Sequence, residues 1–289
     1  MEKNKCFTSG NKFLLIIFSM ITSILFAQNM YQVQYILTFK PQQNSTLEKS
    51  CLMTLYVHGL NSTFFDNEML KADSILTSSK NKFEQSGEIL DYDTDIDVNF
   101  TFVINKNLEN KNIIYMDHIL NGLNPLMIAY QEPVELEWKL TNEISTEQNY
   151  ICQKANLQYG GRNWIAWFTT QIPIQDGPYK FHGLPGLIVK IHDNEFNYNW
   201  ELEKIQSNKS NSFITPIFSN QKIKFMSKQE FENVFATYTK NPMQAFNELS
   251  EEVLDSYVPG INVKLREYIK TQGDIIKNKY SSSTNLIEL

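Results

Sequence analysis

The chain has 289 residues and a formal net charge of −6. With 42% hydrophobic and 20% charged residues it has the composition of a folded globular protein, which excludes a disordered or low-complexity chain. An acidic surface repels phosphate, which excludes nucleic acid as a partner.

The first residues read as a signal peptide. Lys3, Lys5 and Lys12 precede a nearly unbroken apolar run from Phe13 to Phe26, and Ala27 supplies a small residue for cleavage. The run spans about 15 residues, short of the roughly 20 that cross a bilayer. Residues 1–27 are therefore expected to be removed, and no stable membrane anchor is expected afterwards. Cleavage removes three lysines and Glu2 and takes the net charge from −6 to −8. Cys6 leaves with the signal. Cys51 and Cys152 remain, and export makes a disulfide between them chemically accessible. The alternation puts Cys51 with Met53, Leu55 and Val57 on an apolar face, and Cys152 with Lys154 and Asn156 on a polar one. That phase difference leaves the disulfide open.

Period-2 alternation then recurs along the chain. It is strong at Tyr31–Phe39, Ile96–Ile104, Val134–Leu140 and Phe196–Leu202, and weaker at 51–57, 111–117, 150–158, 163–170, 187–192 and 221–226. Half-buried strands with one wet face are the habit of antiparallel sheets. The acidic run Asp91, Asp93, Asp95 and Asp97 reads as a solvated face. Helical periodicity is weaker: Phe65, Met69, Ala72 and Leu76 mark a stripe near 63–76. Ser227 and Glu230 form a capping box before Phe231, Val234, Phe235 and Tyr238, and 243–255 suit a second short helix. Residues 271–289 read as a frayed tail. The expectation is a mainly β protein: one domain over 28–270, built on a single curved antiparallel sheet, in the limit a half-barrel, with a few C-terminal helices.

Residues 150–193 are the densest segment. Arg162 is one of two arginines in the chain; it follows Gly160-Gly161, and Asp176 is its expected partner, pinning a loop. The alternative role for Arg162 is recognition of a carboxylate or phosphate. Asp176-Gly177-Pro178 and Gly183-Leu184-Pro185-Gly186-Leu187-Ile188 both read as turns, the second as a type II turn with Pro185 and Gly186 at its centre. Leucines on both sides of that turn mark either a plug over the sheet or a docking site. With Lys154 and Trp167 these residues make up the candidate functional motif.

This block resembles the GLPGLI family of exported proteins, common in Bacteroidetes. The resemblance includes Cys152-Gln153-Lys154-Ala155, Gly161-Arg162, Ala166-Trp167-Phe168-Thr169, Ile172-Pro173, Gly177-Pro178, Lys180-Phe181 and the final Asn285-Leu286-Ile287-Glu288-Leu289, where Leu286 stands for the usual Pro. It implies export to the periplasm or beyond and a β-rich fold; it implies no reaction and no catalytic residues.

The residues themselves assemble no catalytic, cofactor or metal signature. There is no Gly-x-Ser-x-Gly elbow, no paired-histidine zinc motif and no phosphate loop. The sequence therefore points to a non-catalytic binding or carrier protein of the cell envelope, taking an apolar or peptide-like ligand or a partner chain near 176–192. Two other readings stay open. One is a metal site or enzyme centred on 152–193 through Cys152, Lys154, His182 and His192. The other is a structural partner of an outer-membrane assembly.

Overall fold

The computed structural model describes residues 30–43, 45–86, 98–121, 124–208, 223–258 and 262–289. The signal-peptide reading and the acidic run at 91–97 lie outside them.

Among the described residues, twelve strands form one sheet. In chain order they are β1 (Met30–Phe39), β2 (Lys49–His58), β3 (Asn61–Asp66), β4 (Val103–Asn107), β5 (Asn112–Asn121), β6 (Asn124–Pro133), β7 (Lys139–Glu147), β8 (Tyr150–Tyr159), β9 (Arg162–Thr169), β10 (Leu187–Asp193), β11 (Tyr198–Asn208) and β12 (Ile223–Phe225). Their order across the sheet is β12-β6-β5-β4-β3-β2-β1-β11-β10-β9-β8-β7. Two antiparallel meanders thus meet at β1 and β11, and β12 alone runs parallel, to β6. β1 is central because Val33, Tyr35 and Leu37 are fully buried between β2 and β11.

The order forces curvature. β6 and β7 are ten places apart, roughly 48 Å in a flat sheet at about 4.8 Å per strand. Yet only residues 134–138 connect them, a reach of about 20 Å. The sheet must curl so that this connection can cross its mouth. Val134 is buried, and Leu136 and Trp138 pack against the core, so the segment keeps its alternation without joining a ladder. This corrects the expected strand at 134–140, which begins only at Lys139. Of the expected strand at 96–104, residues 96 and 97 lie outside the described residues, and the ladder begins only at Val103, in Val103–Asn107. Phe100 and Phe102 still pack on the core, but the backbone amides of Asn99 and Phe100 donate to Asp66 instead of to a strand.

The concave face is filled by the chain itself. Ile172, Ile174, Tyr179, Phe181 and Leu184, from the β9–β10 connection, join the main core cluster. Phe181 sits among Trp164, Trp200 and Trp138 at centroid distances of 4.8, 6.1 and 6.3 Å. The first turn of helix α1 (Glu68–Ser86) adds Met69 and Leu70 to a second cluster on the other face of β2–β6, with Tyr56, Phe65, Val103 and Met116. That part of the face is therefore not wet. α1 also starts later than its stripe suggests: Phe64 and Phe65 are both fully buried within β3, and a strand buried on both faces carries no period-2 signal.

Among the described residues three further α-helices follow, α2 (Lys228–Lys240), α3 (Glu251–Leu254) and α4 (Leu265–Ser282), with a 3-10 turn at Gln244–Phe246 between α2 and α3. α2 carries the expected capping box, Ser227 with Glu230. Phe231 of α2 packs edge-on against Tyr115 and Tyr130, at 5.6 and 5.0 Å. Residues 271–289 are not frayed. α4 runs to Ser282, Tyr280 packs on Phe235 at 5.4 Å, and Ile287 is buried in the main core.

Candidate functional site: the docking of residues 285–289

The β8–β9 turn is Gly160-Gly161, with φ of +59° and +76°. Positive φ at both central positions suits the twist of a tight hairpin. A second constraint comes from across the molecule. A Cβ on Gly160 would lie 2.8 Å from Glu288 Cγ, and one on Gly161 would lie 2.9 Å from Leu289 Cβ. The C-terminal segment lies on this turn, and the Leu289 N–H donates to Gly160 O at 2.8 Å.

Arg162, buried beside the turn, holds the same segment. Its Nε donates to Leu286 O and Ile287 O, each at 3.1 Å, and Nη2 donates to Asn285 Oδ1 and Leu286 O, each at 2.6 Å. Nη1 pairs with Asp193 Oδ2 at 3.0 Å. Asp193 in turn accepts from the Tyr198 N–H and the Asn197 side chain, both at 2.9 Å. Asn285 donates to Pro41 O and Lys40 O at 3.0 and 2.8 Å, and its carbonyl accepts from the Tyr198 hydroxyl. The expected Arg162–Asp176 pair is thereby replaced. The guanidinium fork suits a row of backbone carbonyls, but sequence spacing alone does not couple residue 162 to residue 285.

Asp176 instead meets Lys106, from the inner face of β4. The hexapeptide 183–188 is also built differently from expectation. Gly186 N donates to Leu184 O at 2.7 Å, a three-residue turn centred on Pro185 rather than a type II turn. Gly186 has φ of +154°, and a Cβ there would lie 2.0 Å from Thr169 O. Leu184, Leu187 and Ile188 are buried, while Gly183 and Pro185 are exposed. The buried Leu184, Leu187 and Ile188 make the turn a plug over the sheet.

A second cation orders the rim. The Lys180 side chain is fully buried and reaches Tyr130 Oη at 2.9 Å, Glu132 at 2.7 Å and Glu288 at 2.5 Å. Lys228, at the start of α2, closes a square on the same two carboxylates at 3.1 and 3.2 Å. Tyr179 Oη donates to Glu288 at 2.7 Å. Burial pushes the Glu288 carboxyl up, but Lys180, Tyr179 and Lys228 outweigh it and hold it below its usual range. Above this square lies an open cleft of about 680 Å³, walled by Val134, Tyr159, Lys228, Glu232, Leu286 and Leu289. Nothing in the sequence marks Lys180, Glu132 and Lys228 as neighbours, since they come from three separate elements.

The remaining expected residues stand apart from this site. Lys154 pairs with Glu143 at 3.0 Å, and Trp167 lies opposite it on β9. Cys152 is buried rather than on a polar face, and burial pushes its thiol up to about 11. Cys51 and Cys152 are free thiols. His182 Nδ1 lies 2.8 Å from Lys180 O, and His192 Nδ1 lies 3.0 Å from Asp193 O with its ring stacked on Phe196. Among the described residues, no three His, Cys, Asp or Glu side chains gather to hold a metal, and no helix is long and apolar enough to cross a membrane.

A family described as "protein of unknown function (Porph_ging)" matches residues 159–190. The match begins at the turn that receives the C-terminus and covers the hexapeptide. No curated protein matches the chain. Among solved structures, PNGF-II in its C2 crystal form is similar over 72% of this chain and 33% of its own, at 15% identity and a TM-score of 0.50. Its P21 form is similar over 71% and 32%, at 15% identity and a TM-score of 0.47. An outer-membrane lipoprotein-sorting protein domain from Vibrio parahaemolyticus covers 70% of this chain and 95% of its own, at 5% identity and a TM-score of 0.29. The chain spans about a third of PNGF-II, and at this identity the likeness is one of fold.

Proposed function

We propose that this protein is a non-catalytic binding protein of the bacterial cell envelope, which takes a peptide-like ligand or a partner chain in the cleft beside residues 285–289. The observation that carries this reading is the docked segment. The rim around Gly160 and Arg162 already recognises one extended peptide, through backbone pairing, an arginine fork and a buried isoleucine. These are the means by which extended chains are commonly bound. The cleft continues past that segment and offers a tyrosine face, two leucines, an ammonium and Glu232 to a second chain. An apolar ligand on the concave face is no part of the reading, because residues 172–187 and Ile287 occupy it. The apolar leader at residues 13–26 supports the envelope location.

The test is native mass spectrometry of the chain exported to a bacterial periplasm, in wild type and in Glu232→Trp, which fills the cleft. The expected result is an added peptide-like mass on wild type that the variant lacks. An identical added mass on both proteins, or a metal in place of a peptide, contradicts the reading.

A further inference from the structure

Among the described residues, Lys106 and Asp176 are the most completely enclosed charged pair. Both side chains have 0% exposure, and Lys106 Nζ is in contact with Asp176 Oδ1. Three details around them are unequal. Gly177 N–H donates to Oδ1 at 2.7 Å, Lys106 Nζ also donates to Gly177 O at 2.6 Å, and Oδ2, though buried, has no partner. Burial lowers the Lys106 ammonium's pKa, against the opposing pull of Asp176. A buried ion pair is costly when one of its oxygens is unsatisfied.

We propose that Lys106 and Asp176 become joined by an isopeptide bond in the folded protein. The ammonium first gives a proton to Oδ1, the oxygen it touches, leaving a neutral amine against a neutral carboxylic acid. The Nζ lone pair adds to Asp176 Cγ, and negative charge gathers on Oδ2. The Cγ–Oδ1 bond breaks, with the Gly177 N–H hydrogen-bonded to the departing oxygen; Oδ1 leaves with its own proton and one from nitrogen, as water. Atoms and charges balance with no oxidant or co-reactant. The fold supplies the proximity that such a condensation needs. In the product the new amide N–H keeps Gly177 O as its acceptor, and two buried charges have been removed. The bond would tie β4 to the inner loop, closing a span of 70 residues.

The experiment is intact-mass measurement and tryptic mapping of the full chain, folded in the cell, in wild type, Lys106→Arg and Asp176→Ala. The expected wild-type mass is one water below the sequence mass, with no tryptic cleavage after Lys106 and its peptide joined to the one containing Asp176. Both variants show no deficit. A wild-type chain at full mass with the two peptides separate overturns the proposal. So does a water deficit that persists in Lys106→Arg, since that is a succinimide at Asp176-Gly177. Neither readout requires the variants to fold.

Discussion

Arg162 directs all three of its guanidinium nitrogens to fixed acceptors, four of its contacts on residues 285–287 and one on Asp193. Lysine keeps the charge and loses the fork. Hydrogen bonds to a buried cation contribute about 1.5–3 kcal/mol each, and an ammonium replaces only some of them, so Arg162→Lys should cost about 3 kcal/mol. The check is urea unfolding: a lower midpoint with an unchanged slope. At this scale the sequence is partly legible. The rarity of arginine singles out residue 162, and the glycines before it mark a turn. Its partner is not legible, because a carbonyl acceptor carries no side-chain signal. Asp176 is the obvious wrong choice: it is the nearest carboxylate downstream in the loop, but it faces β4.

Among elements, the square of Lys180, Glu132, Lys228 and Glu288 binds the inner loop, β6, α2 and the C-terminal segment together. Its pH dependence has a defined sign. The folded Glu288 pKa lies below its unfolded value of about 4.3. The group therefore stabilises the fold above about pH 4.3, and that contribution is lost as pH falls through the folded value. Glu288→Gln should remove this acid-side loss, measured as melting temperature between about pH 6 and pH 3. The difference between the two curves isolates Glu288, because Asp117, whose carboxyl burial pushes up to about 6, titrates in both proteins. Elements were readable where one face was apolar and the other polar, as in β1, β11 and α2. They were misread where that contrast failed. β3 is buried on both faces, and residues 134–138 alternate because they cross the mouth of a curled sheet.

For the whole molecule, the mainly β class and the curved sheet follow from the alternating segments. The strand order does not, since it depends on β11 returning beside β1 across most of the chain. The densest part of the sequence proves to be an internal receptor: residues 159–193 organise the concave core and seat the last five residues. The proposed binding role rests on that receptor. Its most direct test is amide hydrogen exchange at Asn285 and Leu289, whose N–H groups donate to Pro41 O and Gly160 O. These amides should exchange nearly as slowly as those of β1 in wild type, and much faster in Arg162→Lys. Exchange at the rate of an unstructured peptide in wild type, with β1 still protected, would contradict the account.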